Sequence, residues 1–102
     1  MAPAPVLYIV IPCYNEESVL PLTCSLFRDQ LESMAEGGLV SRRSRILFVN
    51  DGSKDGTWRL IRDLAASDPV FEGICLSRNR GHQNALLAGL MAAKDVCDIS
   101  IS

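Results

Sequence analysis

The stretch "LFVNDGSKDGTW" (residues 47–58) joins an apolar run to a cluster of small and acidic residues. The apolar residues are typical of a buried strand, and Asp51 and Asp55 follow it together with Gly52 and Gly56. A simple turn needs only one or two residues of these types. The stretch therefore predicts a strand whose carboxyl end either forms an elaborate loop or presents carboxylates to a ligand.

Similar apolar runs recur along the chain and alternate with segments of helical period. The predicted strands are 6–11, which ends before Pro12, then 45–50, 73–77 and 97–102. The predicted helices are 18–34, with Pro21 in its first turn, then 56–67 and 82–94. Strands that are apolar throughout are usually buried on both faces, as in parallel sheets. Because crossovers between parallel strands are right-handed, the order β-α-β-α-β-α-β predicts an α/β fold with a Rossmann-like parallel sheet.

The composition narrows the class of protein. The 102 residues suffice for one domain or part of one, and 48% hydrophobic with 22% charged residues is typical of a globular chain. The net charge of −2 argues against charge-driven binding to nucleic acid. The four cysteines form no C-x-x-C pair, so we expect buried thiols in a reducing, cytoplasmic compartment. The apolar run at 6–11 is too short to span a membrane.

Ligands of parallel α/β sheets bind beyond the carboxyl ends of the strands. The segments that follow the first three predicted strands are 12–17, 50–57 and 77–84, and we expect them to share one edge of the sheet. A dinucleotide fingerprint, G-x-G-x-x-G after the first strand, is absent because no glycine precedes residue 37. A Walker A loop is absent as well. Any nucleotide must therefore be held in another way.

The charges of these segments indicate how a nucleotide would be oriented. Acids follow the first two strands, and a carboxylate accepts hydrogen bonds from base N–H groups and ribose hydroxyls. Arg78 and Arg80 follow the third strand, close to a helix N-terminus near Gly81, and suit a diphosphate. The strand ends therefore predict a base over the first two strands and phosphates toward the third and fourth.

Three motifs carry a resemblance to a known family: "VIPCYNEE" (10–17), "VNDGSKDGT" (49–57) and "SRNRGHQNAL" (77–86). In this order and spacing they resemble family 2 glycosyltransferases with a GT-A fold, from about residue 6 to the end of the chain. The third motif is most similar to the branch that moves a sugar onto a polyprenyl phosphate, the dolichyl-phosphate and bactoprenyl-phosphate type. The resemblance implies an inverting transfer from a UDP- or GDP-sugar, with Mg²⁺ or Mn²⁺ as cofactor and a lipid phosphate as acceptor.

The resemblance also implies roles for individual residues. Glu16 lies near the nucleoside, Asp51 accepts from the base, Asp55 supports its loop, and Arg78 faces base or phosphate. Asn50 stands where many relatives carry an acid, and its amide can still form hydrogen bonds. The residues expected to bind the nucleotide-sugar are Pro12, Tyr14, Asn15, Glu16, Asp51, Ser53, Asp55, Arg78, Gly81 and His82.

Parts of the family pattern are missing from residues 1–102. The metal-binding D-x-D follows the fourth strand in the family, so it is expected beyond Ser102, and Asp95 and Asp98 come too early to replace it. The catalytic base is also expected further on. We therefore expect residues 1–102 to be the nucleotide-sugar-binding part of a transferase, inactive alone. The full-length protein is expected at the cytoplasmic face of a membrane, and an exposed sheet edge predicts either a homodimer or aggregation.

Other interpretations of the same residues remain open from sequence. Asn15 to Glu17 can begin the first helix, as an N-cap followed by acids. Asp55 can cap the second helix, with the glycines at positive φ. The arginines and His82 can be surface residues. At the level of function, the alternatives are a non-catalytic nucleotide-binding module and a nucleotidyltransferase, although "PCYNEE" (12–17) is not the glycine-rich, lysine-containing loop that a nucleotidyltransferase needs.

Overall fold

A computed structural model describes residues 3–101 of the chain. Its elements alternate between strand and helix, as the sequence predicts. They are β1 (Leu7–Cys13), α1 (Leu20–Glu36), β2 (Arg45–Asp51), α2 (Thr57–Ser67), β3 (Phe71–Leu76), α3 (His82–Ala93) and β4 (Ile99–Ile101). The strands form one parallel sheet in the order β3-β2-β1-β4. The predicted α/β architecture with a parallel sheet is therefore confirmed.

The two central strands are buried on both faces of the sheet. In β1, Leu7 and Ile9 pack on the side of α1 and α2, whereas Tyr8 and Val10 pack on the side of α3. The same alternation in β2 places Ile46 and Phe48 on the first side and Leu47 and Val49 on the second. Since both faces are covered, neither strand shows the polar alternation of a half-exposed sheet.

Helix α3 approaches the sheet closely because it carries a small residue where it crosses the strands. Gly89 is buried, and a Cβ atom there would overlap Val10 Cγ1 and Val49 Cγ2. Ala85 and Ala93 lie on the same buried face of the helix. Small residues on this face therefore allow the close approach of the helix to the sheet.

The structure corrects both ends of the first β–α connection. Strand β1 continues through Pro12 to Cys13, and Pro12 is in register with Val49. Proline is tolerated there because β4 pairs with β1 only up to Ile9, so around Pro12 the strand has one neighbour. Helix α1 begins at Leu20, later than the predicted residue 18, and ends at Glu36.

The remaining boundaries lie within two residues of the predicted ones. Helix α2 begins at Thr57 and helix α3 ends at Ala93, each one residue inside its predicted range. Strand β3 begins earlier than predicted, at Phe71, whose ring stacks on Phe48 at a centroid distance of 5.9 Å. Strand β4 is shorter than predicted, and position 102 lies outside the described residues. In the part of the chain that the structure describes, no helix is long and apolar enough to cross a membrane.

Candidate functional site

A cavity of about 220 Å³ opens at the carboxyl edge of the sheet, beyond β1 and β2. It draws residues from the segments after β1, β2 and β3, as the sequence predicts for a ligand site. The residues that line it are Pro12, Cys13, Tyr14, Glu16, Asp51, Asn79 and His82. The cavity therefore combines two carboxylates with the aromatic rings of Tyr14 and His82.

Asp51 is the carboxylate held most firmly in this wall. It is the last residue of β2 and is 3% exposed, so its carboxylate is buried in the wall of the cavity. Its Oδ1 accepts a hydrogen bond from the main-chain N–H of Arg80 at 2.7 Å. Within residues 3–101 its Oδ2 has no donor, and this oxygen is available to a ligand.

The loop after β1 is tied to the loop after β2 by side-chain hydrogen bonds, a set that we call the loop clasp (residues 15–17 with residues 53–57). The N–H of Asn15 donates to Ser53 Oγ at 2.9 Å, and the N–H of Lys54 donates to Asn15 Oδ1 at 2.8 Å. The N–H of Gly56 donates to Glu17 Oε1 at 3.0 Å. Asn15 has a φ of 52°, a left-handed conformation that asparagine tolerates. These contacts hold the two loops together.

The loop clasp corrects the interpretation that Asn15 to Glu17 begin a helix. Val19, not Asn15, is the N-cap residue of α1, and it makes no side-chain capping bond. The side chains of Asn15 and Glu17 bind the second loop instead. Residues 15–17 are not helical, because hydrogen bonds with residues 53–57 fix their backbone in another conformation.

Asp55 supports the loops from within the loop clasp. It accepts from the N–H of Thr57 at 2.9 Å, from the Thr57 hydroxyl, and from the N–H of Glu17 at 3.3 Å. The hydrogen bond from the Thr57 hydroxyl is the main reason that the pKa of Asp55 is lowered from its ordinary value. Because folding lowers this pKa, the charged Asp55 carboxylate stabilises the folded state. This stabilisation is fully present above the ordinary aspartate pKa and is lost as the pH falls through the lower pKa of the folded state.

Gly52 brings the loop after β2 against the segment after β3. Its φ is 69°, and a Cβ atom there would overlap the main chain of Arg78 and Asn79. Gly56 differs, because its φ is −81° and the obstacle to a side chain is the carboxylate of Glu17. The expectation of positive φ therefore holds for Gly52 and is wrong for Gly56.

The segment after β3 lies at the rim of the cavity. Gly81 is the N-cap residue of α3 and His82 is its first residue, as expected for a helix N-terminus at this point. Arg78 and Arg80 are exposed, and neither lines the cavity. Asp51 is bonded to the main chain of Arg80 rather than to its guanidinium.

The structure thus divides the predicted site residues into two groups. It brings Pro12, Tyr14, Glu16, Asp51 and His82 together around the cavity. It places Asn15, Ser53 and Asp55 in the loop clasp, whereas Arg78 and Gly81 lie outside the cavity wall. Their contacts with a ligand stay a prediction.

Two residues of the cavity wall were not among the predicted site residues. Asn79 lies between Arg78 and Arg80, which were predicted to bind phosphate because of their charge, whereas Asn79 is neutral. Cys13 is 1% exposed, and burial, with the nearby Glu16 charge, raises the pKa of its thiol to about 12. A thiol that stays protonated near neutral pH is a poor nucleophile, so Cys13 is a wall residue.

A divalent metal is implied by the family resemblance, and the residues present do not form a site for it. Among residues 3–101, no group of three or more His, Cys, Asp or Glu side chains could hold a metal ion.

Comparison with known proteins identifies the family. The family described as Glycosyl transferase family 2 matches residues 8–97. The uncharacterized glycosyltransferase YkoT of Bacillus subtilis (strain 168) is 46% identical over 98 residues, which cover 96% of this chain and 29% of that protein. A prophage bactoprenol glucosyl transferase homolog of Escherichia coli (strain K12) is 40% identical over 82 residues, 80% of this chain and 25% of its own length.

A further relative carries a lipid phosphate in its name. The undecaprenyl-phosphate 4-deoxy-4-formamido-L-arabinose transferase of Aeromonas hydrophila is 37% identical over 87 residues, 84% of this chain and 25% of that protein. The chain thus spans 25–29% of the length of these relatives.

A solved structure supports the same fold. The mannosyltransferase of Pyrobaculum calidifontis in complex with GDP-Man and Mn²⁺ superposes with a TM-score of 0.56 at 24% identity, over 91% of this chain and 27% of that one. This likeness confirms the prediction of a Rossmann-like sheet of the GT-A type. The family match, covering most of the chain, confirms the resemblance carried by the three motifs. The chain belongs to glycosyltransferase family 2.

Proposed function

We propose that residues 1–102 form the nucleotide-sugar-binding part of an inverting glycosyltransferase that uses a UDP- or GDP-sugar. The observation that carries the proposal is the cavity lined by both Glu16, which follows β1, and Asp51, the last residue of β2. This edge of a parallel sheet is where ligands of α/β folds bind. Two carboxylates at this edge suit the donor-rich base and ribose better than they suit a phosphate.

Each part of the cavity has a defined task in this proposal. Asp51 Oδ2 accepts from a base N–H, because Oδ1 is already bonded to the N–H of Arg80. Glu16 accepts from a ribose hydroxyl, and Tyr14, which is 42% exposed, covers one side of the nucleoside with its ring. The diphosphate extends toward Arg78 and the start of α3, where main-chain N–H groups and a guanidinium favour anions.

The acceptor belongs to the same proposal. Relatives named for bactoprenol and for undecaprenyl phosphate support a polyprenyl phosphate as acceptor. A transferase acting on such a lipid works at a membrane, and we propose its cytoplasmic face. In the longer protein, the D-x-D with its Mg²⁺ or Mn²⁺ and the catalytic base would be supplied by residues that follow Ser102.

Binding of the nucleotide tests the proposal. We expect saturation-transfer NMR on the 102-residue chain to show contact with the base protons of UDP or GDP, and none with NADH. Asp51→Asn keeps an acceptor for the Arg80 N–H but removes the charge. A hydrogen bond to a charged group contributes about 1.5–3 kcal/mol, so its loss should weaken binding by about tenfold or more.

The control is Asp63→Asn, the same change at an exposed position of α2. It should leave binding unchanged. Wild-type affinity in Asp51→Asn, or no saturation transfer in a folded wild-type sample, contradicts the proposal. In the full-length protein, labelled sugar reaching undecaprenyl phosphate supports a transferase, whereas nucleotide binding without transfer supports the non-catalytic module.

A further inference from the structure

Thr57 is the residue of the loop clasp that forms a hydrogen bond with Glu16, a residue of the cavity wall. It is the first residue of α2 and is fully buried, with 0% exposure. Its Oγ1 accepts a hydrogen bond from the N–H of Glu16 at 2.8 Å. Of residues 15–17 and 53–57, only Glu16 lines the cavity. The Thr57 hydroxyl therefore connects residues 53–57 of the loop clasp to Glu16, the clasp residue that lines the cavity.

Asp55 fixes the orientation of the Thr57 hydroxyl. A threonine hydroxyl has one proton and two lone pairs. The Thr57 hydroxyl donates a hydrogen bond to Asp55 Oδ1, so a lone pair of its oxygen faces the N–H of Glu16 and accepts from it. Asp55 is itself held by the N–H groups of Thr57 and Glu17. The carboxylate thus orients the hydroxyl, and the hydroxyl positions the backbone of Glu16.

We infer that Thr57 is a positioning residue for nucleotide binding, with Asp55 acting through it, and neither touches the ligand. The inference rests on the proposed function, since it explains how Glu16 is presented to the nucleoside. It also reassigns Asp55, which the sequence motif places among the substrate-binding residues. Glu17 closes the same arrangement by accepting from the N–H of Gly56, the N-cap residue of α2.

The other contacts of the loop clasp make this role separable from folding. The hydrogen bonds of Asn15 with Ser53 and Lys54 do not involve Thr57, so the loops stay joined when its hydroxyl is removed. Thr57→Val keeps the shape of the side chain and removes the hydroxyl, which is both the acceptor of the Glu16 N–H and the donor to Asp55 Oδ1. Thr57→Ser keeps that acceptor and removes a methyl group. The two variants therefore separate hydrogen bonding from packing.

The experiment measures two quantities in wild type, Thr57→Val and Thr57→Ser. The first is the exchange rate of the Glu16 amide proton by NMR, and the second is the dissociation constant for UDP and GDP. We expect Thr57→Val to accelerate exchange at Glu16, leave the amides of β1 and β2 protected, and weaken binding by about tenfold. Thr57→Ser should restore both quantities to near wild type. Thr23→Val, the same change on α1, serves as the control.

Wild-type exchange at Glu16 in Thr57→Val overturns the inference, as does equal weakening by Thr57→Ser. If Thr57→Val does not fold, Asp55→Ala decides, because Asp55 is exposed and its removal leaves the hydroxyl free to rotate. It should accelerate exchange at Glu16, and unchanged exchange overturns the inference. If wild type binds neither UDP nor GDP, the proposed function fails. The Glu16 exchange data then still decide whether Thr57 positions this residue.

Discussion

At the residue scale, Gly52 is constrained in two independent ways. Its φ of 69° lies in the left-handed region, and a Cβ atom would also overlap the main chain of Arg78 and Asn79. Gly38 has a similar φ of 76°, but a Cβ atom there meets nothing within 4 Å. The pair therefore separates the cost of the backbone conformation from the cost of the close approach.

We expect Gly52→Ala to destabilise the fold more than Gly38→Ala. The left-handed conformation costs a non-glycine residue about 1–2 kcal/mol, which applies to both variants. The clash at Gly52 adds about 1–3 kcal/mol, because main chain must move to make room. Urea denaturation followed by circular dichroism measures both free energies of unfolding. If both variants lose the same free energy of unfolding, the main chain of the segment after β3 moves aside at no cost, and the expectation is wrong.

At the scale of elements, α3 is held to the sheet by the absence of a side chain at Gly89. The helix crosses β1 and β2, and the methyl groups of Val10 and Val49 fill the space that a Cβ atom would need. Because α3 begins at the rim of the cavity, a shift of this helix also displaces His82.

Gly89→Ala tests which of two opposing effects dominates. Replacing glycine by alanine within a helix contributes about 1 kcal/mol of stability, and overpacking costs about 1–3 kcal/mol. We expect net destabilisation, measured as a lower urea midpoint. In a Val10→Ala background the same change should cost less, since the nearer obstruction, Val10 Cγ1, is gone and only the Val49 methyl group remains in the way. The same loss in both backgrounds would contradict close packing at this crossing.

At the scale of the whole molecule, the sheet edge formed by β4 exposes apolar side chains. Ile99 and Ile101 of β4 are exposed, whereas no exposed large hydrophobic side chain among the described residues belongs to β3, the strand at the opposite edge. Strand β4 pairs with β1 only from Leu7 to Ile9. A cavity of about 410 Å³, lined mostly by apolar residues, lies beside it. Such an edge favours association with another chain.

We expect the 102-residue chain to dimerise through this edge at high concentration. Ile101→Lys places a charge in β4, where Ile101 is 49% exposed, and should shift the chain toward monomer. Leu39→Lys is the matched control, because Leu39 is 66% exposed and lies outside β4. Size-exclusion chromatography with light scattering gives the mass. A wild-type monomer at high concentration, or equal effects of the two variants, would contradict association through β4.

Much of the candidate site could be predicted because it follows the strands directly. Asp51 ends β2, and Pro12 and Tyr14 lie at the end of β1, so parallel strands alone bring them to one edge. Cys13 and Asn79 were missed because lining a cavity depends on how neighbouring segments fold. The roles of Asn15 and Thr57 were also hidden, since their partners lie 38 and 41 positions away along the chain.

Periodicity and motif spacing predicted the order of strands and helices, the burial of β1 and β2 on both faces, and the family, because these patterns depend only on the order of residues along the chain. Tertiary structure decided where α1 begins, why Gly52 and Gly56 are glycines, and which polar side chains reach the cavity. Those features depend on contacts between loops that are distant in sequence. Such contacts form only once the strands have aligned, so they cannot be predicted from a local sequence pattern.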